Sequence, residues 1–139
     1  MTTYLEDEDL TPGIRAVLER VEPNPRKYID IGKGWWNVVA ALNWRLSELN
    51  PDYRLLQVKE KFGGLRYYYT TNAETGPTFR VLVSEVEDIC WRTCEVCGKP
   101  GVVRDRAWVR VLCDGDADGA PPWPKDRFPT AFRMVSSGD

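Results

Sequence analysis

Three cysteines in the second half of the chain have the spacing of metal ligands. Cys94 and Cys97 form a CxxC pair, and Cys113 follows Cys97 after fifteen intervening residues. This pattern is three quarters of a zinc ribbon, in which two CxxC pairs are separated by about 15 to 20 residues. The fourth position of the ribbon pattern is residue 116, an aspartate. The spacing therefore predicts a zinc site with Cys94, Cys97, Cys113 and Asp116 as its ligands.

A fourth cysteine offers an alternative fourth ligand. Cys90 lies one helical turn before Cys94, and a thiolate is a softer zinc ligand than a carboxylate oxygen. Asp116 has the ribbon spacing, and either choice gives the site the same charge. The sequence favours Asp116 and keeps Cys90 as the alternative.

The cysteines also permit interpretations without zinc. A disulfide is disfavoured in the reducing cytoplasm that we expect for this chain. A redox CxxC pair would lie at a helix C-terminus, where the helix dipole disfavours a thiolate. Structural zinc is the preferred interpretation, and a redox pair or unligated thiols are the alternatives.

A second group of chemically active residues lies in the segment KEKFGGLRYYY, residues 59–69. Gly63-Gly64 predicts a two-residue hairpin turn, in which Lys61 pairs with Arg66 and Lys59 pairs with Tyr68. Strand alternation then sorts the side chains onto two faces. The polar face collects Gln57, Lys59, Lys61, Arg66 and Tyr68, and the apolar face collects Leu56, Val58, Phe62, Leu65, Tyr67 and Tyr69, with Glu60 as its only charge.

The cationic face of this hairpin has two interpretations. Lys59, Lys61 and Arg66 could bind a phosphate or carboxylate group, with Tyr68 as a stacking surface and Gln57 beside it. The alternative is an ordinary solvated sheet face. The segment is not a P-loop, because it lacks the GxxxxGK[ST] spacing. We treat these five residues as candidate partner-binding residues.

Three helices are predicted around these motifs, over residues 11–21, 34–50 and 79–94. Thr11 would cap the first helix, with Pro12 at its first position. The apolar stripe of the second helix is Trp35, Val39, Leu42, Leu46 and Leu49, and the inner side of the third is Leu82, Val86, Ile89 and Thr93. The apolar face of the hairpin should cover the second helix.

The ribbon hairpin and the tail complete the predicted organisation. Residues 102–103 and 108–112 read as the two strands of the ribbon hairpin. The segment DGDADG, residues 114–119, is similar to the start of a calcium loop but lacks its closing glutamate, so we do not predict a calcium site there. We predict one small α+β domain with a body of residues 1–93, a zinc-ribbon-like unit of residues 94–116 and an extended proline-rich arm of residues 117–139. Trp123, Phe128 and Phe132 would anchor the arm.

Composition narrows the possible functions. The chain of 139 residues has a net charge of −2 and no histidine, which removes the commonest general base. We therefore expect no enzymatic activity. No apolar run reaches the roughly 20 residues of a membrane span, and the acidic N-terminus lacks the features of a secretory signal. A cytoplasmic protein without a membrane partner is expected.

The two motifs together resemble those of a group of small phage and prophage proteins with no established activity. These proteins combine a VKEKFGGLRxY segment with a later CExCG, an aromatic hairpin and an LCD motif. The matching residues are Val58–Tyr68, Cys94–Gly98, Trp108-Val109 and Leu112–Asp114, and the resemblance covers roughly residues 34–116. It implies a histidine where this chain has Asp116 and a small residue where it has Cys90, so Cys90 could replace the missing ligand.

Three functions are compatible with these features. The preferred one is a zinc-stabilised binding module of phage or mobile-element origin, which acts on a host component in the host cytoplasm. A host protein is the preferred partner, and inhibition of a host defence is one form this could take. The second is a nucleotide or nucleic-acid binder that uses Lys59, Lys61 and Arg66. The third is an enzyme whose metal keeps an open position at Asp116.

Overall fold

A computed structural model of the chain describes residues 10–21 and 29–124. Its helices are α1 (Pro12–Arg20), α2 (Trp36–Leu49) and α3 (Gly76–Cys90), with a short 3₁₀ helix, Lys33–Trp35, before α2. Its strands are β1 (Ile29–Asp30), β2 (Arg54–Lys61), β3 (Gly64–Thr70), β4 (Val102–Val103) and β5 (Val111–Leu112). The predicted α+β class is confirmed.

The first two helices agree with their sequence signals. The Thr11 side chain caps α1 by accepting a hydrogen bond from the Ile14 backbone N–H at 3.3 Å. On α2 the predicted stripe is buried as far as Leu46, whereas Leu49, at the end of the helix, is exposed. No helix among the described residues is long and apolar enough to cross a membrane.

The main sheet contains a strand that the sequence did not predict. Its order is β1-β2-β3, with β2 and β3 antiparallel and β1 added in parallel to the outer edge of β2. Ile29 pairs with Val58, and Asp30 pairs with Lys59. A strand of two residues carries too little pattern to be recognised from sequence.

The predicted pairing of the β2-β3 hairpin is wrong by two residues. Lys61 pairs with Gly64 and Lys59 pairs with Arg66, so Lys61 does not face Arg66. Phe62 and Gly63 are the central turn residues, with φ of 56° and 86°, as a type I′ turn requires. A shift of two residues leaves the members of each face unchanged, because side chains alternate with period two.

Close packing explains why the second glycine lies in the strand and not in the turn. A Cβ atom on Gly64 would lie 2.7 Å from Cζ2 of Trp91, closer than such atoms can approach. Only glycine therefore allows the Trp91 ring to pack on this strand. The prediction assigned Gly64 to the turn because the contact with Trp91, which lies far along the chain, is invisible in the local sequence.

Two residues assigned to the apolar face of the hairpin lie at the surface. The pairing register of β2 shifts between Leu55 and Gln57, so Leu55 is buried in place of the predicted Leu56. Phe62 is 60% exposed because it occupies the turn itself. The other predicted members, Val58, Leu65 and Tyr67, are buried, and Tyr69 packs against the core.

The third helix begins and ends earlier than predicted, and it is rotated. It ends at Cys90, not at residue 94, and its buried residues are Phe79, Val83, Val86 and Cys90. Of the predicted inner residues, only Val86 is buried, and Ile89 is exposed. Phe79 sets this rotation because its ring packs against Tyr53 and Tyr69, with centroids 5.3 and 5.4 Å away.

A buried polar group joins α2 to the sheet. The hydroxyl of Tyr53 donates to Oδ1 of Asn43 at 2.5 Å and lies 2.6 Å from the hydroxyl of Tyr67. Burial raises the pKa of Tyr67 well above its ordinary value, so the phenol stays protonated. Arg20 connects α1 to the same region by donating to the carbonyl of Tyr53 at 2.7 Å.

The first residues of the predicted arm lie against the ribbon hairpin. The Trp123 N–H donates to the carbonyl of Val103, and the Asp105 N–H donates to the carbonyl of Pro121, both at 2.8 Å. The Trp123 side chain packs against the core. Phe128 and Phe132, the other predicted anchors, lie outside the described residues.

Replacing Phe62 with asparagine should stabilise the protein by about 1 kcal/mol, because a left-handed backbone costs most L-residues about 1 to 2 kcal/mol and asparagine tolerates it better. Chemical denaturation of both proteins measures this difference. Phe62→Ala is the matched control, because it removes the ring without relieving the backbone. Equal stability of the two variants would contradict the strain argument.

Candidate metal centre

The CxxC segment forms a tight turn directly after α3. The Gly98 N–H donates to the carbonyl of Cys94 at 2.9 Å, and the Cys94 N–H donates to the carbonyl of Lys99 at 2.7 Å. Gly98 has a φ of 82°, a conformation that glycine adopts without strain. This turn points the side chains of Cys94 and Cys97 toward the same side.

The ribbon hairpin delivers the other two candidate ligands. Strands β4 and β5 pair Val102 with Leu112 and Val103 with Val111. The Glu95 N–H donates to the carbonyl of Val111 at 3.0 Å, which holds β5 against the CxxC turn. Cys113 follows β5 directly. A turn closed by the Ala117 N–H on the Cys113 carbonyl, at 2.9 Å, then presents Asp116.

Four ligand atoms converge in this region and could hold a metal ion. The sulfur atoms of Cys94, Cys97 and Cys113 and a carboxylate oxygen of Asp116 all lie within 4.8 Å of one another. Sγ of Cys97 lies 3.6 Å from Sγ of Cys113, and Oδ2 of Asp116 lies 3.3 Å from Sγ of Cys94 and 3.2 Å from Sγ of Cys113.

These separations match the edges of a small tetrahedron. An ion with metal–sulfur bonds of about 2.3 Å and metal–oxygen bonds of about 2.0 Å sets sulfur ligands about 3.8 Å apart and a sulfur–oxygen pair about 3.5 Å apart. The observed 3.6 Å and 3.2 to 3.3 Å are close to both values. These three of the six ligand–ligand separations are therefore close to those of tetrahedral coordination.

The surroundings of Cys94 and of Asp116 favour the charged form of both groups. Burial raises the pKa of Cys94, but backbone N–H groups of Cys113, Cys97 and Val96 outweigh it, and the net pKa is lowered. Hydrogen bonds from the thiols of Cys97, Cys113 and Cys94 lower the pKa of Asp116.

The pKa of the exposed Cys97 thiol shifts in the opposite direction, above its ordinary value. A hydrogen bond from the backbone of Lys99 favours its thiolate, but contacts with Asp116 and the other thiols raise the pKa of Cys97 to about 12. A cation at the centre would favour the charged form of all four groups.

Cys90 is not a member of the four-residue group. It is fully buried at the end of α3 among the apolar side chains of the main core. Burial, with added repulsion from Glu95 and Glu87, raises the pKa of its thiol far above the ordinary value. Its position one helical turn before Cys94 does not bring it to the other ligands, because α3 ends at Cys90 and the chain turns away.

The CxxC turn is seated on the segment that leads into α2. The Gly34 N–H donates to the carbonyl of Glu95 at 2.8 Å, and Nε1 of Trp35 donates to the carbonyl of Thr93 at 2.8 Å. A Cβ atom on Gly34 would lie 2.1 Å from the Cys94 carbonyl oxygen, and one on Gly32 would lie 2.3 Å from that of Glu95. Glycine at both positions therefore permits the contact.

Glu95 is a buried carboxylate that joins three parts of the structure. Oε2 accepts a hydrogen bond from the Gly32 N–H at 3.0 Å, and Oε1 accepts one from Nε of Arg110 at 3.2 Å. Burial raises its pKa, and the Arg110 guanidinium and the Gly32 N–H oppose that rise. Sequence reasoning missed this residue, although an acidic residue inside a CxxC turn was the available signal.

Arg104 orders the loop that carries Asp116. It is buried, and its guanidinium donates to the Leu112 carbonyl at 3.0 Å, to the Ala120 carbonyl at 3.3 Å and to the Asp114 carboxylate at 2.9 Å. Its contacts with the Leu112 and Ala120 carbonyls hold both ends of the loop of residues 112–120. The local sequence does not reveal this role, because the hydrogen-bond partners of Arg104 lie 8 to 16 residues away in the chain.

The candidate partner-binding residues share one face of the β2-β3 hairpin. Gln57 pairs with Tyr68 and Lys59 pairs with Arg66, while Lys61 is exposed next to the turn. Nζ of Lys59 lies 5.9 Å above the Tyr68 ring. The structure thus brings the five residues together, with pairings that differ from those predicted.

Arg66 is less available than Lys61. It is partly buried, and its Nε atom is buried without a hydrogen-bond partner. Burial raises the pKa of Glu87 on α3 to about 7, and the nearby Arg66 charge opposes that rise. Arg66 therefore lies near Glu87 of α3, and Lys61 is the exposed cation of this face, whereas Lys59 is partly buried like Arg66.

Comparison of the chain with protein-family models, curated proteins and solved structures finds no match. The assignment of a function therefore depends on the geometry of the chain itself.

Replacing Gly34 with alanine should destabilise the protein by about 3 kcal/mol, since the new methyl group would collide with the backbone of the CxxC turn. Thermal or chemical unfolding measures the loss. Gly76→Ala is the control, because a Cβ there meets only the end of the Arg80 side chain, at 3.8 Å. If Gly34→Ala is as stable as Gly76→Ala, the CxxC turn is not seated as described.

Proposed function

We propose that Cys94, Cys97, Cys113 and Asp116 bind one structural zinc ion, and that the chain is a non-enzymatic binding module held rigid by that ion. The observation that supports this most directly is the convergence of four ligand atoms within 4.8 Å. These atoms come from two segments, the CxxC turn and the loop after β5. An ion at their centre would connect both segments.

Ligand chemistry supports zinc over other divalent cations. Three thiolates and one carboxylate form a soft, tetrahedral donor set, which suits zinc and does not suit calcium or magnesium. Manganese prefers oxygen ligands in octahedral geometry.

A structural role follows from the number of ligands. Four protein ligands fill a tetrahedral zinc ion, whereas catalytic zinc has three protein ligands and an open position. The cleft of about 540 Å³ between α1 and α2 is lined by none of the four ligands. An enzyme would need Asp116 to leave the ion, so that a coordination position becomes open to water or substrate.

The small ribbon hairpin needs such an ion. Strands β4 and β5 have two residues each, and a hairpin of that size is not stable on its own. Metal binding supplies folding free energy in domains of this kind. The ion would therefore fix the exposed loops of the ribbon relative to the body.

The resemblance to phage and prophage proteins over residues 34–116 supports a component of the host cell as the target. A reducing host cytoplasm would keep the three thiols available for the metal.

The protein purified without chelator should contain about one zinc ion per chain, measured by elemental mass spectrometry. Cys94→Ser, Cys97→Ser and Cys113→Ser should each lose the metal and unfold the ribbon hairpin, because metal binding and folding are coupled there. Far less than half an equivalent in the wild-type protein would refute the zinc site.

Asp116→Ala should release the metal to a chromogenic chelator more than about tenfold faster than the wild-type protein, since even residues that only orient metal ligands contribute about 10- to 100-fold to affinity. Cys90→Ala should release it at the wild-type rate while losing about 1 kcal/mol of stability through the core. Asp118→Asn is the control for a nearby acidic residue outside the cluster. Faster release only in Cys90→Ala would show that Asp116 is not the fourth ligand.

A further inference from the structure

The four cysteines of the chain differ in how open their side chains are to solvent. Cys97 is exposed, Cys113 is half-buried, and Cys94 and Cys90 are buried. A dissolved oxidant has to reach a sulfur atom directly, and oxidation of cysteine therefore follows exposure as well as thiolate character. Cys97 is the cysteine that such a molecule meets first.

A second sulfur atom lies beside Cys97 and belongs to a different segment of the chain. Sγ of Cys97 lies 3.6 Å from Sγ of Cys113. Because a disulfide bond is about 2.05 Å long, the two atoms need to approach by only about 1.5 Å. A Cβ atom on Gly115 would touch Sγ of Cys113 at 3.9 Å, so glycine at that position leaves one side of this sulfur uncovered.

Cys94 is less suited to oxidation than its position in the CxxC pair implies. Its side chain is fully buried in a small cluster with Leu112 and Ala117. Movement of its sulfur towards Cys97 would withdraw it from these contacts. The structure therefore favours Cys97 with Cys113 over the pair that the CxxC spacing alone would select.

The two possible disulfides differ in what they connect. Cys97 belongs to the CxxC turn and Cys113 follows β5, so a bond between them would join the same two segments as the metal ion. It would close a loop of fifteen intervening residues that contains both strands of the ribbon hairpin. A bond between Cys94 and Cys97 would lie within the turn and leave Cys113 unattached.

We infer that the metal centre is also an oxidation site, at which a peroxide converts Cys97 and Cys113 into a disulfide, releases the ion and leaves the ribbon hairpin attached. This inference rests on the proposed function, because the bound cation holds the sulfur atoms as thiolates, the nucleophilic form. The substrate class is a small hydroperoxide, and hydrogen peroxide is the simplest member.

The reaction is a two-electron oxidation in two steps. The Cys97 thiolate attacks one oxygen of hydrogen peroxide, the O–O bond breaks, and hydroxide leaves as Cys97 sulfenic acid forms. The Cys113 thiolate then attacks the sulfenic sulfur, the S–S bond forms, the S–O bond breaks, and a second hydroxide leaves. Two thiolates are oxidised, one peroxide is reduced, and two protons from solvent convert both hydroxides into water.

Loss of the metal follows from the loss of two ligands. A disulfide carries no negative charge, so only Cys94 and Asp116 remain, whereas structural zinc takes four ligands. The disulfide stays open to a small thiol on the exposed Cys97 side, so thiol–disulfide exchange regenerates both thiolates. The site would thus alternate between a metal and a covalent bond, as the transient disulfides of reducing compartments do.

The test is treatment of the zinc-loaded wild-type protein with hydrogen peroxide in the presence of a chromogenic chelator. We expect about one zinc ion released for every two thiols lost, and recovery of both after addition of dithiothreitol and zinc. Alkylation of the denatured product should label Cys90 and Cys94. Tandem mass spectrometry should find Cys97 linked to Cys113, with fragmentation to distinguish Cys94 from Cys97, which share one tryptic peptide.

Hydrogen exchange tests whether the disulfide holds the hairpin in place of the ion. The informative groups are the N–H of Glu95 and the N–H of Arg104, which donate to the carbonyls of Val111 and Arg110 at 3.0 and 2.9 Å. In the oxidised, metal-free protein both should exchange about 100-fold more slowly than in a reduced, chelator-treated sample. Closure of a loop of about 15 residues gives a stabilisation of that order.

Cys90→Ala is the matched control, because it removes a thiol that lies outside the cluster. It should release zinc and form the disulfide at the wild-type rate. A dependence on Cys90 would overturn the assignment of the pair.

The zinc content before peroxide is added separates the two proposals. A protein without zinc at that point would mean failure of the proposed function. A zinc-loaded protein would overturn the inference by any of three results: a disulfide mainly between Cys94 and Cys97, oxidation of Cys97 to sulfinic acid without a disulfide, or an oxidised protein whose hairpin exchanges as fast as the chelator-treated sample.

Discussion

The contact between the CxxC turn and the two glycines before α2 is the constraint on which the rest of the structure depends. Gly34 donates to the Glu95 carbonyl, and Gly32 donates to the Glu95 side chain, at distances that leave no space for a side chain on either glycine. The same carboxylate binds Arg110 next to β5. One buried acidic residue thus joins the start of the long helix, the CxxC turn and the ribbon hairpin.

This arrangement explains how so small a ribbon is held in a defined position. Two strands of two residues provide few hydrogen bonds and little buried surface. The hairpin instead gains stability from two separate attachments, the Glu95 contacts and the Arg104 guanidinium across the loop of residues 112–120, which lie beside the four candidate metal ligands. Loss of either attachment would leave a buried charged group without partners, which makes the unit cooperative.

The ribbon in turn covers the end of the β2-β3 hairpin. Trp91 and Val109 pack beneath Gly63 and Gly64, and Trp108 is hydrogen-bonded to Glu60. Most residues in this region satisfy both the backbone preference of their residue type and the packing of their side chains. Phe62 satisfies neither, because its backbone is left-handed and its ring is exposed. Departures from local consistency in an otherwise consistent fold tend to occur at functional surfaces.

The sequence by itself determined the features that depend on local spacing. The helical periods predicted α1 and α2, the strand alternation predicted the two faces of the hairpin, and the ribbon spacing predicted the four residues that the structure brings together. Apart from Leu56 and Phe62, the face assignment survived an error in register because that error was two residues, the period of a strand. The first two patterns are carried by residues that are close in the chain, and the third by a characteristic spacing of ligand residues.

Only the tertiary structure decided the features that depend on contacts between distant residues. Trp91 packs on Gly64 and so moves the turn to Phe62-Gly63, and the third helix rotates to place Phe79 and Cys90 in the core. Glu95 and Arg104 are buried because their partners arrive from segments far along the chain. The physical reason is the range of the interaction. Backbone preference and periodicity act over a few residues, whereas close approach, burial and charge pairing are set by whichever segments the fold brings together.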